Sequence, residues 1–241
     1  MSVQRMRSLL PLLLLASSCA AVAPPSPEAA KPVIEDIEEE LQLGTGPLSL
    51  ESEIGGMSQY GVERSLAELH PRFIRCVEQA SQRLSAIGGR VNVRMRVDRS
   101  GNVRWAYLSD TTLGDREAEL CVLELVKGRR WPRPKSGEGL AETSFEVEAA
   151  ESPRELNAAR ASGFTYQARV ATRACRKGVP GAFTATVYVN DSGEVLSAGV
   201  APPDETGESA SDCIATALLG VRARGLVATR DAPAKVSVLI R

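Results

Sequence analysis

Two stretches of this chain repeat one arrangement of cysteines, glycines and alternating residues, and that repeat narrows the folds available to it. Cys76 is followed by Gly88-Gly89, an alternating segment ending at Val97, the turn Asp98-Arg99-Ser100-Gly101, Val103, and then Cys121. Cys175 is followed by Gly178 and Gly181, an alternating segment ending at Val189, the turn Asn190-Asp191-Ser192-Gly193, Val195, and then Cys213. From turn glycine to second cysteine is 20 residues in both copies. Each copy therefore holds its own cysteine pair, and Cys19 stands apart at the end of an apolar leader.

The first copy reads as α-β-β-α-β. Phe73, Cys76, Val77, Ala80 and Leu84 recur at helical spacing, which predicts a helix from about Val62 to Ala86 with Cys76 on its buried face. Gly88-Gly89 stops it. Val91, Val93, Met95 and Val97 alternate with Asn92, Arg94 and Arg96, a strand with one wet face. The Asp98–Gly101 turn leads into a second strand over Asn102–Ser109, making a hairpin. Gly114-Asp115 opens a helix in which Ala118, Cys121, Val122 and Leu125 share a face, and Thr143, Phe145 and Val147 alternate in a third strand.

The second copy follows position by position. Phe183, Ala185, Val187 and Val189 match the inward side of the first strand; Ala198 and Val200 match Ala106 and Leu108. Ala210, Cys213, Ile214 and Ala217 repeat the helix face, and Val236, Val238 and Ile240 form a last strand. Its first helix is weaker, with an alanine-rich face at Ala168, Ala171 and Ala174. The stretch from Glu151 to Gly163 is either a linker or the start of that helix. The reading is α+β: two tandem α-β-β-α-β domains, 61–149 and 164–241, joined by a linker over 150–163.

One cysteine falls on the apolar face of each helix, so the repeat selects Cys76–Cys121 and Cys175–Cys213 from the three possible pairings. Bridges closing loops of this length stabilise by roughly 4 kcal/mol each on chain-entropy grounds. In domains of about 80–90 residues that decides whether they fold. Neither zinc nor thiol-redox chemistry is indicated, because there is no C-x-x-C and His70 is the only histidine.

The front of the chain sets the compartment. Arg5 and Arg7 precede an apolar run from Leu9 to Ala16, too short to span a bilayer, which reads as an export signal over 1–18. Ala16-Ser17-Ser18-Cys19 resembles a bacterial lipobox, making Cys19 a lipidation candidate; cleavage after Ala21-Val22-Ala23 is the competing reading. Acyl chains on Cys19 would anchor the protein to the membrane from the periplasmic side, and Ala20 favours the outer membrane. Residues 19–60 read as a tether: four prolines stiffen its start, and residues 28–53 carry eight acids against Lys31. Setting those and the leader's arginines aside leaves 26 bases and 22 acids over 54–241, with no concentrated stripe of the kind nucleic acid needs.

Several segments together resemble a known domain. Phe73-Ile74-Arg75-Cys76-Val77-Glu78, Gly89 through Val97, Gly101-Asn102-Val103, Glu119-Leu120-Cys121-Val122 and Arg130-Trp131-Pro132 look like a TonB C-terminal-like domain of the AgmX/PglI type found in gliding-motility envelope proteins. Val77 stands where that pattern commonly has an aromatic, and Pro132-Arg133-Pro134 replaces its usual ending. The second copy lacks the tryptophan and has Ala223-Arg224-Gly225 in that region. The resemblance implies a non-enzymatic envelope lipoprotein whose sheet edge takes up a strand of a protein partner, within a trans-envelope machine. The candidate edges are Thr143–Glu148 and Lys235–Ile240, the latter carrying Val236, Val238 and Ile240.

A basic cluster, Lys127 to Lys135, surrounds Trp131 with Arg129, Arg130 and Arg133; it is a second candidate contact surface, for an acidic protein, lipid headgroups or cell-wall glycan. A peptidoglycan- or glycan-binding role is the alternative, and a cell-wall enzyme a weaker one. No nucleophile elbow or local carboxylate pair is present. Glu119 and Asp212, just ahead of the second cysteines, are expected to face solvent. Asp98–Gly101 and Asn190–Gly193 are ordinary hairpin turns without the downstream glutamate of a calcium loop, so neither metal nor cofactor is expected.

Overall fold

Ser58 starts the first helix, its side chain accepting a hydrogen bond from the Gly61 N–H at 3.2 Å. The computed structural model describes residues 56–156, 161–223 and 232–241; the leader, Cys19 and most of the tether lie outside them. Helix α1 (Gln59–Ser81) buries Leu66, Leu69, Phe73, Cys76, Val77 and Ala80. It ends before Ala86 because Ser81 Oγ donates to the carbonyls of Val77 and Ile87, 3.0 and 3.3 Å away, which draws the chain into a turn. Ala86 and Ile87 complete the apolar face from that turn, fully buried. His70 and Pro71 lie in mid-helix rather than near a start, and Pro71 leaves the Ala67 carbonyl without its helical donor.

Strands β1 (Gly89–Val97) and β2 (Val103–Thr111) form the expected hairpin, α2 (Arg116–Lys127) follows, and β3 (Gly139–Val147) completes an antiparallel sheet in the order β2-β1-β3. Asp115 caps α2, accepting from the Ala118 N–H at 2.9 Å. In the hairpin turn the Asp98 carboxylate accepts from the backbone N–H groups of Asn102 and Ser100, which hold it below the usual carboxylate range. Gly101 (φ +84°) brings that turn against Trp131, whose N–H donates to the Gly101 carbonyl at 2.9 Å; a Cβ at 101 would collide with the Trp131 carbonyl.

The second half repeats this order of elements. Helix α3 (Ser162–Ala171), β5 (Phe183–Val189), β6 (Val195–Ala201), α4 (Glu208–Leu219) and β7 (Ala234–Ile240) build a sheet in which β6-β5-β7 matches β2-β1-β3. Where Trp131 bonds Gly101, the Ala223 N–H donates to the Gly193 carbonyl at 2.7 Å. Part of the segment read as a linker supplies a short strand, β4 (Arg154–Leu156), which pairs parallel to Ala234–Val236 of β7. Alanines 171 and 174 are exposed rather than packed; Ala161, Phe164, Ala168 and Thr172 form the buried side of α3.

Both expected disulfides are present, Cys76–Cys121 and Cys175–Cys213, with Cα–Cα separations of 5.8 and 5.5 Å. The first joins α1 to α2; the second joins the turns after α3 to α4. Among the described residues the architecture is mixed α+β, with four helices and two sheets.

The two halves are not separated by solvent. The face of the second sheet opposite its helices lies on the first half, so both faces are covered. Cross-strand rows Lys235–Tyr188–Ser197 and Ser237–Thr186–Gly199 form this mating face. Tyr188 sits in the first half's core, with its hydroxyl donating to the Gly88 carbonyl at 3.2 Å. Lys235 Nζ donates to the same carbonyl at 2.9 Å, and Ser197 Oγ reaches Gly114 O and Asp115 Oδ2 at 2.8 and 2.9 Å.

Candidate partner-binding surfaces

The residues singled out in the basic cluster are dispersed by the fold. Trp131 is inside the core, 4% exposed, with its indole N–H donating to the Val126 carbonyl. Arg129 is drawn to Glu68 at 2.6 Å and to Ser65, and this contact holds the Glu68 carboxyl below its ordinary range. Arg130 donates to the Ser100 carbonyl, while Arg133 is exposed. The cluster therefore braces the hairpin turn and the end of α2, and offers no exposed aromatic ring on which a sugar could stack.

Val236, Val238 and Ile240 are buried in the second core. Their strand is not terminal in its sheet, since β4 covers Ala234–Val236 and Arg169 donates to the Leu239 carbonyl further along at 3.4 Å. At the opposite side, the Val200 N–H of β6 donates to Glu119 Oε2 at 2.9 Å, and β2 lies against β5 and β6. That leaves β3. Among the described residues no strand pairs with its outer edge.

The outer face beside that edge is polar and aromatic. The Arg96 guanidinium lies 5.3 Å from the Trp105 ring centre, and Trp105 is 5.7 Å from Tyr107. Glu142 of β3 accepts from Ser109 at 3.0 Å and lies 3.8 Å from Arg94; Glu138 sits between Arg96 and Arg104. Glu146 and Glu148 are exposed.

Glu119, expected in solvent, is entirely buried. It sits on α2 where the second sheet covers that helix, a placement decided by packing between halves. Burial pushes its carboxyl up to about 8, against the Val200 N–H and the more distant Arg116. Arg116 opposes burial chiefly through Glu208 and Asp212, 2.6 and 2.7 Å away, against 3.7 Å to Glu119. Glu119 has no exposed surface with which to reach a substrate; together with Arg116 and Glu208 it fastens α2 to the second half. Among the described residues no set of three or more His, Cys, Asp or Glu is placed to hold a metal ion, and no helix is long and apolar enough to cross a membrane.

No family model, curated protein or solved structure matches this chain.

A second exposed surface was not anticipated from the sequence. Tyr166, Val170, Arg169, Arg173, Arg176, Lys177 and Arg241 line an open groove of about 1050 Å³ beside α3. Its signal was nonetheless in the chain: residues 157–190 contain five bases and no acid.

Proposed function

We propose that this chain is an exported, non-enzymatic binding protein that takes an extended segment of a protein partner as an added strand on β3. The observation that carries this reading is the asymmetry of the edges. β7 is flanked by β4, β6 is engaged by Glu119 and lies against β2, and β3 ends its sheet with no described strand on its outer side. A row of unpaired backbone groups of this kind is a template for strand addition. Glu146 would favour a partner strand with a basic residue opposite it, by about 0.2–1 kcal/mol for the cross-strand pair.

The likeness to TonB C-terminal domains supports the same mode of binding, with two disulfide-stapled domains packed face to back. The lipobox-like Cys19 supports a lipid-anchored position on the periplasmic side of a bacterial envelope membrane, and Ala20 favours the outer one. Photo-crosslinking in cells from Glu146, compared with Leu239, tests the reading. A dominant protein adduct from position 146 alone is expected. Adducts from 239 alone, or none from 146, would refute strand addition at β3.

A further inference from the structure

We infer that the α3 face is a membrane-surface contact that recognises anionic phospholipid headgroups. Four cations, Arg169, Arg173, Arg176 and Lys177, project from this short helix and the turns after it, and Arg241 joins them across the groove. Among the described residues no carboxylate pairs with any of the five. Arg169 and Arg176 bond only neutral groups: the Leu239 carbonyl, the Thr172 hydroxyl and the Arg169 carbonyl. Several other arginines of the fold, among them Arg83, Arg90, Arg116 and Arg129, are drawn to acids. The unpaired set therefore carries a net positive field that an acidic surface would neutralise.

The centre of this field is apolar. Tyr166 is 70% exposed and Val170 59%, one helical turn apart, so their side chains share a face. Both are among the most exposed large apolar residues described. An exposed tyrosine beside an aliphatic residue, ringed by arginines on stems that can snorkel, matches the headgroup–acyl boundary of a bilayer. The groove is open and shallow, unlike the enclosed pocket a small anion would need. Its position also fits. α3 lies on the helix side of the second sheet, opposite the face that seats on the first half, so this contact and the β3 edge do not compete.

Vesicle flotation of residues 20–241, which retain the whole compact unit and lack both the apolar leader and Cys19, tests the inference. Binding to phosphatidylglycerol-containing vesicles is expected, with little to pure phosphatidylcholine and a steep loss on adding salt. Each basic residue near such a surface contributes about fivefold in affinity, so Arg169→Gln with Arg173→Gln should weaken binding about 25-fold. Tyr166→Ser should weaken it without changing the salt dependence, and both variants are exposed enough to leave the fold intact, checked by circular dichroism. Equal binding to neutral vesicles, or an unaffected double variant, would overturn the inference. Retention on immobilised polyglutamate with no vesicle binding would also overturn it, in favour of an acidic protein.

Discussion

Stability of the folded protein should fall as the solution passes from mildly acidic to mildly alkaline, and Glu119 should be the main cause. Its carboxyl has an ordinary value of 4.5 and is raised to about 8 by burial between the halves. Between those values the folded chain holds a proton that the unfolded chain has released. The unfolding free energy then declines with pH, by about 1.4 kcal/mol per unit for one proton. The stabilising contribution is complete below the unfolded value and is lost once pH exceeds about 8. Over the whole window the loss is at most about 5 kcal/mol, as large as the stability of many small domains. Glu208, also raised by burial, acts in the same direction, whereas the carboxyls of Glu68 and Asp98 are lowered and act oppositely at much lower pH. Glu119→Gln keeps the shape and an acceptor for the Val200 N–H but cannot ionise. Urea unfolding of the oxidised variant should match the parent at or below pH 4.5. It should exceed the parent at alkaline pH, with a slope shallower by one proton. Parallel slopes would refute the reasoning, because they would mean that Glu119 is ionised in the native protein and that Arg116, not burial, governs it.

Removing the second disulfide with Cys175→Ser and Cys213→Ser should cost about 4 kcal/mol, read as a lower urea midpoint, given a separation of 38 residues. Tyr188→Phe deletes the hydroxyl that joins Gly88 across the halves and should cost about 1–2 kcal/mol in the same assay. Gly199→Ala should cost about 3 kcal/mol, because a Cβ there would strike the Glu119 carboxyl and the Asp115 backbone at the mating face.

Much of this fold was legible because it rests on local pattern. The alternation of Val91 to Val97, the Asp98–Gly101 turn and the Asp115 cap each act within a few residues, and the repeat carried the same reading into the second half. Cysteine pairing followed from the repeat, even though Cys175 lies in the turns after α3 and not on the helix expected for it. What the sequence concealed was contact between the halves. Thr186, Ser197, Lys235 and Ser237 alternate as a solvent-facing strand side would, since a polar mating face and a wet face share one pattern. Glu119 was misplaced for the same reason: nothing within its own helix announces that another sheet will cover it. The closing of the β7 edge by Arg154–Leu156 was equally hidden, three residues being too few to show a period. The α3 surface was visible only as charge, and its two exposed apolar residues acquired meaning when Phe164 and Ala168 proved to be the buried side.

The connectivity of the disulfides carries a consequence for biogenesis. Each bond joins cysteines that are neighbours in chain order, 76 with 121 and 175 with 213. A chain that emerges amino end first therefore presents one complete pair before the next begins. Once Cys19 is acylated as proposed, an oxidant that joins the four remaining cysteines in order of appearance makes the native bonds by default, with no shuffling afterwards. The polar joint between the halves cannot close until Lys235 has emerged, 147 residues after the Gly88 carbonyl it meets. Cross-linking is thus settled early and locally, and docking comes last, when both halves are already stapled and neither can capture the other's thiols.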